Sequence, residues 1–267
     1  MKGRALAFGA VSIVNAIASG RGATAGVRLT TNAEVRIDKG HDVWRVKVNG
    51  RESRSNLAIQ TARKVLKHFG REPERFGGLI STKTEIPIGV GLKSSSSASV
   101  AIALATIASL GEKEFEEDQV LKLSAEASLE SGASVTGAFD DAASCLLGGI
   151  NHTHNLQRRL VNSARFEEPV SLVILVPRQR SRRASIGVER VRRFSGLAEV
   201  AFRTSLKGDH WEAMTLNGLL YSAVYGYDPS PALIAIGAGA LGAGLSGTGP
   251  AIASAFRQDK GSSVKTL

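Results

Sequence analysis

Two stretches of this chain carry residues whose types and spacing suit chemistry on phosphate. The first is residues 87–99, PIGVGLKSSSSAS. Gly89 and Gly91 have no side chain, so their backbone can approach a bulky anion and take positive φ. A helix beginning at the serine run would offer unpaired N–H groups and a partial positive charge. A phosphate set there meets donors already aimed at it. Lys93 adds a full charge, and the hydroxyls of Ser94 to Ser97 suit phosphate or a magnesium ion. The second stretch is Asp140-Asp141, with Gly137 before it and Ala142 and Ala143 after it. Small neighbours let a substrate or another backbone come close. In phosphoryl transfer one carboxylate can take the proton of an attacking hydroxyl while a second holds magnesium.

Each stretch also has a plainer reading. The P-loop needs glycine directly before its lysine, and here Leu92 precedes Lys93. The dinucleotide fingerprint G-x-G-x-x-G fails at Ser94. A flexible Gly/Ser linker is the other option. Against it stand Val100, Ile102, Leu104, Ile107 and Leu110 at near-helical spacing, with Gly111 as a stop. Asp140 and Asp141 would equally suit a helix N-terminus, where the dipole favours carboxylates. Glu126 and Glu130 lie four apart on a predicted helix and share a face; each is either a magnesium ligand or an exposed carboxylate. His152 and His154 alternate, but the further ligands a metal needs are not evident. Cys145 lies in an Ala/Leu run and reads as packed core.

The elements that would position these groups follow from the hydrophobic pattern. The first 50 residues are β-rich. Val27, Leu29, Thr31, Ala33, Val35 and Ile37 alternate as in a half-buried strand. Residues 38–40 turn the chain, 43–48 alternate again, and Asn49-Gly50 closes that strand. A helix is expected over 55–69, capped by Gly70, and a strand over 79–85 enters the glycine loop. Helices are expected over 94–110 and 116–131. Residues 151–155 read as a polar turn, and 170–176, VSLVILV, as a strand between Pro169 and Pro177. Helices are expected near 188–206 and 210–225. The segment 242–256, GAGLSGTGPAIASAF, reads as strand, tight turn, strand, and 258–267 as a frayed end. A domain boundary is expected near 150–165.

Composition bounds the class. The 267 residues suffice for one or two domains, and 43% apolar with 22% charged residues is ordinary for a soluble protein. Aromatics make up only 5%, so Ala, Val, Leu and Ile must fill the core. Cys145 is the lone cysteine, which excludes an intrachain disulfide and points to a reducing cytoplasmic setting. The N-terminus turns polar before a clean apolar run develops, so no signal peptide is expected. No apolar span of about 20 residues predicts a membrane helix. The net charge of +10 suits a nucleotide, a small anion or nucleic acid. Much of it is local: Arg178, Arg180, Arg182 and Arg183, then Arg190, Arg192 and Arg193. That run is either a solvated face or an anion funnel beside an active site.

PIGVGLKSSSSAS resembles the phosphate-binding motif P-x-G-x-G-L-x-S-S-A of the GHMP kinase superfamily. GAFDDAASCLLGG, residues 137–149, resembles its acidic segment, and LSGTGPAIASAF, residues 245–256, its C-terminal glycine motif. GAVSIVNAIASGRGATAGV, residues 9–27, resembles the archaeal-type shikimate kinase branch. The resemblance implies an α+β fold of two domains, 1–155 and 156–267. The first would have the split β-α-β layout of a ribosomal protein domain; the second would be ferredoxin-like. ATP would lie along Pro87, Gly89, Gly91, Leu92, Lys93, Ser94, Ser95, Ser96, Ser97 and Ala98. Asp140 would be the catalytic carboxylate, Ser95 and Glu126 the magnesium positions, and Gly247 and Gly249 the turn that closes over the site. Several members carry an N-terminal lysine that polarises the acceptor; residues 5–14 hold none, leaving Arg4, Arg21 or Lys93 as substitutes. The implied activity is ATP-dependent phosphorylation of shikimate, in aromatic amino acid biosynthesis, with neither nucleic acid nor membrane as partner. The alternatives are a homoserine- or mevalonate-type kinase, and a non-catalytic basic RNA-binding protein. The last lacks support, because no aromatics are interleaved with the basic residues and the acidic pair would repel a nucleic-acid backbone.

Overall fold

The strand that organises the larger sheet is β2 (Arg21–Lys39), seen in a computed structural model that describes residues 1–178 and 186–258. β1 (Lys2–Val14) runs antiparallel along one edge of β2. The other edge is shared: β5 (Phe76–Thr84) pairs with residues 31–39 and β6 (Ile150–His154) with residues 21–25. With β3 (Trp44–Val48), β4 (Arg51–Ser53) and β7 (Arg159–Ala164), the order is β4-β3-β5-β2-β6-β7, and β1 pairs with β2 beside that path. Asn49 and Gly50, with φ of 49° and 80°, make the hairpin turn between β3 and β4 that their identity predicted.

Four helices cover this sheet. α1 (Asn56–His68) starts where the Ser55 hydroxyl accepts the Ala58 N–H at 3.3 Å. α2 (Ser94–Leu110) is apolar on nearly every side and buries Val100, Ile102 and Ile107. A helix of that kind belongs inside a protein, and α2 packs between β1, α1 and α3 (Glu117–Glu130). α4 (Phe139–Leu147) closes the layer.

The smaller sheet is antiparallel, β8-β10-β9, formed by β8 (Val170–Leu175), β9 (Gly242–Leu245) and β10 (Ile252–Arg257). Helices α5 (Val188–Arg192), α6 (Ser195–Leu206), α7 (His210–Tyr225) and α8 (Ser230–Gly237) accompany it. The two sheets share a core: Val11, Ile13, Leu92 and Ile150 pack with Phe202, Met214 and Ala253.

Two expectations are corrected. Residues 151–155 are not a turn: they form β6 and enter a short 3-10 turn. The polar side chains there are buried because they are paired, with Asn151 donating to Ser144 Oγ at 2.9 Å and Thr153 to Asn155 Oδ1 at 2.7 Å. The helix over 188–206 is two helices, broken where Phe194 leaves helical geometry (φ −98°, ψ 13°) and packs on the core around Tyr221. α8 and β7 had no prediction; the run from Ala232 to Ile236 shows no polar face to give α8 a helical period. Of the arginine run, Arg178, Arg190, Arg192 and Arg193 are exposed, and Arg180, Arg182 and Arg183 lie outside the described residues, as does 259–267. Among the described residues no helix is long and apolar enough to cross a membrane.

Candidate active site

A cleft of about 730 Å3 opens where β1, the loop before α2, the loop before α4 and the turn between β9 and β10 converge. The loop before α2 is shaped by Gly89 and Gly91, whose φ of 76° and 97° favour glycine. Lys93 stands at the N-cap of α2 in left-handed geometry, and no side chain caps the helix. Its first turn therefore keeps donors for a ligand, and Ser94, Ser95 and Ser96 line the cleft. The turn between β9 and β10 braces this loop. Ser246 Oγ donates to Gly91 O at 2.8 Å, Ala251 N–H donates to Val90 O at 3.0 Å, and a Cβ on Gly91 would overlap Ser246 O. Asn15, at the end of β1, donates from Nδ2 to Gly247 O at 2.8 Å.

Opposite the loop stands the first turn of α4. Its N-terminus forms because Gly137 and Ala138 are both left-handed, with φ of 81° and 52°. Asp141 Oδ1 pairs with Lys93 Nζ at 2.9 Å, with the two side chains 16% and 8% exposed. Burial works against the Lys93 charge, but the Asp141 and Asp140 carboxylates outweigh it and hold the ammonium above its ordinary value. Asp140 is 4% exposed yet lines the cleft. Asn155 Nδ2 donates to its Oδ1 at 2.7 Å, and Thr24 Oγ1 donates to its carbonyl at 2.7 Å. Burial, with the Asp141 charge added, pushes the Asp140 carboxyl up to about 7; Lys93 and Asn155 oppose the rise. A carboxyl at that value gives up and takes a proton near neutrality, as a general base requires.

Comparison with known proteins matches the sequence and the fold to one family. Residues 56–149 match the GHMP kinases N terminal domain. The shikimate kinase of Methanothrix thermoacetophila is 41% identical over 264 residues, 99% of this chain and 88% of that protein. Those of Methanosarcina acetivorans and Pyrococcus abyssi are 40% and 34% identical, over 99% and 94% of this chain and 88% and 90% of theirs. The chain belongs to the GHMP kinase family. Solved structures agree on the fold. Methanococcus jannaschii mevalonate kinase superimposes with a TM-score of 0.67 at 18% identity, covering 96% of this chain and 90% of that one. Lactococcus lactis galactokinase complexed with galactose gives 0.72 at 14%, covering 96% and 86%.

Within this GHMP kinase the residues expected at the site do not all reach it. Gly89, Gly91, Lys93, Ser94, Ser95 and Ser96 share the cleft with Asp140. Pro87 is exposed where the loop begins, outside the cleft wall. Leu92 is in the shared core, Ser97 is buried with its hydroxyl donating to Ala7 O at 3.3 Å, and Ala98 packs on the core of the larger sheet. These three brace the loop from behind. Glu126 is also outside the cleft wall: Arg158 holds it at 2.7 Å and Lys64 at 3.6 Å, and Lys64 pairs with Glu130 as well. Of the three candidates for the missing lysine, Arg4 pairs with Glu34 on an exposed face and Arg21 with Glu199, and only Lys93 is in the cleft. Gly247 lines the cleft, and it and Gly249 have φ of 61° and 73°. His152 is buried, with Nε2 2.8 Å from Ser205 Oγ, and burial lowers it to about 4. Cys145 is buried in the core, and that burial raises its thiol. Among the described residues no cluster of three or more His, Cys, Asp or Glu could hold a metal.

Sequence reasoning missed Asn15, Gly22, Ser128 and Asn155. Gly22 has a legible signal, since a glycine inside a strand marks a close approach: a Cβ there would overlap Asp140 Oδ2 and lie 2.8 Å from Asp140 Cγ. Asn155 offers none, because only the fold brings it across 15 residues to Asp140.

Proposed function

We propose that this chain transfers the terminal phosphoryl group of ATP to a hydroxyl of shikimate, giving shikimate 3-phosphate and ADP inside the cell. The observation that carries the substrate is similarity at 34–41% identity to shikimate kinases along nearly the whole chain. The mevalonate and homoserine kinases share the fold at 16–19% identity. The reading treats residues 1–155 and 156–267 as two units, with β7 reaching back to extend the larger sheet.

In this reading Gly89 and Gly91 let the backbone close around the triphosphate. The first turn of α2 and Lys93 meet the charge that develops on the transferred group. Asp140 orients the acceptor hydroxyl and takes its proton as the oxygen attacks phosphorus and the bond to ADP breaks. Magnesium fits the cleft on its donor set: the Ser95 hydroxyl is exposed beside the loop, and this ion keeps phosphate oxygens and waters as its other ligands. Glu126, tied to Arg158 and Lys64, does not fit that role. Bound there, magnesium would supply charge neutralisation on the phosphates.

The test is ADP release measured with shikimate, homoserine and mevalonate side by side. Shikimate should give the highest kcat/KM by at least an order of magnitude. Faster turnover of either other alcohol would overturn the substrate assignment.

A further inference from the structure

We propose that Asn155 is a positioning residue for the phosphoryl transfer: its amide fixes the rotation of the Asp140 carboxylate and leaves Oδ2 as the oxygen that receives the acceptor's proton. The inference rests on the reading of Asp140 as the base.

Asn155 is 1% exposed and its main chain is pinned, with its N–H donating to Gly20 O at 2.8 Å and its carbonyl accepting from Arg158 N–H at 3.1 Å. The orientation of its amide follows from donor chemistry. Asp140 N–H, which can only donate, lies 3.1 Å from Asn155 Oδ1, and the Thr153 hydroxyl donates to the same oxygen at 2.7 Å. A flipped amide would set N–H against N–H, so the oxygen must face these donors. Nδ2 is thereby committed to Asp140 Oδ1 at 2.7 Å and to Thr136 Oγ1 at 3.3 Å. One side chain thus holds Asp140 by both its backbone and its carboxylate.

The two carboxylate oxygens are no longer equivalent. Oδ1 accepts from Asn155. Oδ2 packs over the bare Cα of Gly22, and among the described residues no side chain donates to it, although the Asp141 N–H also bonds to this carboxylate. In the transfer the acceptor's O–H bond breaks, its proton goes to Oδ2, the new O–P bond forms, and the electron pair of the broken P–O bond leaves with ADP.

The same contact opposes the burial of Asp140. Asp141 and Lys93 act on this carboxyl directly, and Cys145 and Tyr221 are the other titratable groups near enough to sense it. Asn155 favours the ionised form, because a donor to a carboxylate stabilises its charge. Asn155→Ala removes the donor. Asn155→Asp keeps an acceptor for Asp140 N–H and Thr153 but puts a second carboxyl where the donor was, so the pair should hold a proton to higher pH.

The experiment follows the Asp140 carboxyl by carbon-13 NMR in the protein without substrate, using the resonance lost in Asp140→Asn, alongside the pH profile of kcat. In Asn155→Ala the titration and the acidic limb of kcat should both move up by about one unit or more, and kcat at pH 7 should fall about tenfold with KM for ATP unchanged. Thr153→Val, which only loosens the amide, should give a smaller shift of the same sign and serves if Asn155→Ala fails to fold. Folded Asn155→Asp or Thr153→Val protein whose Asp140 titrates as in the parent would overturn the proposal. A carboxyl titration that moves while the rate limb stays would instead overturn the role of Asp140 as base, leaving the contact itself intact.

Discussion

Replacing Gly22 with alanine tests the proposed placement of the Asp140 carboxylate. Gly22 lies in β2 without positive φ, so alanine is acceptable to the backbone. The difficulty is space. The new Cβ would lie 2.8 Å from Asp140 Cγ and 2.9 Å from Ala16 Cβ and would overlap Asp140 Oδ2. Ordinary contact begins at 3.4 Å, so the carboxylate must retreat by about 0.6 Å at Cγ and by more at Oδ2. It cannot simply swing aside, because Asn155 holds Oδ1 and Thr24 holds the carbonyl. A displacement of about 1 Å in a reacting group costs about 10²-fold in rate, or about 2.7 kcal/mol of activation free energy. Overpacking of a tight core position costs about 1–3 kcal/mol of stability. The nucleotide loop is untouched. Gly22→Ala should therefore lose about 100-fold in kcat, measured by ADP release with shikimate, with ATP affinity unchanged by direct titration and a folded protein by circular dichroism. A folded variant with kcat within threefold of the parent would show that Asp140 Oδ2 is not at the reacting centre.

Asp140→Asn keeps the volume and removes the base; kcat should fall by about 10²–10⁴ while ATP binding survives, and near-normal turnover would refute the assigned role. Lys93→Met breaks a largely buried ion pair and should destabilise by about 3–5 kcal/mol in denaturant titration. The double variant Lys93→Met, Asp141→Leu should recover most of that stability but none of the activity. The pH dependence has two opposed parts. The folded Asp140 carboxyl is raised to about 7, so the folded state holds a proton that the unfolded state releases near 4, and stability from this group falls as pH rises through that window. His152 has the opposite sign: lowered to about 4 when folded, it stays neutral while the unfolded chain takes a proton below 6.5, and stability is lost as pH falls. Comparing the parent with His152→Gln should remove an acid-side loss of no more than about 3 kcal/mol between pH 6.5 and 4, and identical slopes would refute the account.

What the sequence made legible was the part written in local pattern. α2 begins and ends where spacing and the Gly111 stop put it, α7 spans the expected 210–225, and the alternation of Val35 and Ile37 marks the buried face of β2. Gly89, Gly91 and the serine run were legible as a positive-φ loop entering a helix, because the demands of that turn on the backbone are local. Residues 151–155 misled because polar side chains normally signal a turn, and here several are buried against partners elsewhere in the chain, such as Ser205 for His152 and Asp140 for Asn155. Glu126 lies outside the cleft for a related reason. Its helical spacing was read correctly, but Lys64 and Arg158, which claim it, come from α1 and from the turn before β7. Asn155 was invisible since nothing in NHTHN separates an amide that orients a carboxylate from one that faces water.

The two readings of Asp140 offered by the sequence, a helix N-terminus and a catalytic acid–base group, are compatible within one arrangement. A carboxyl buried beside Asp141 with nothing to oppose the rise would already hold its proton at neutral pH and could not take one from an alcohol. A carboxylate in water would titrate near 4 and hold a proton poorly during transfer. The first turn of α4, the Lys93 ammonium and the Asn155 amide each favour the charged form, while burial and Asp141 favour the neutral one. Their balance near neutrality is what the proposed role requires, one side chain that can take a proton from an acceptor and later release it. On the proposed reading, the features that make Asp140 a stable start to a helix are therefore among those that would make it a usable base.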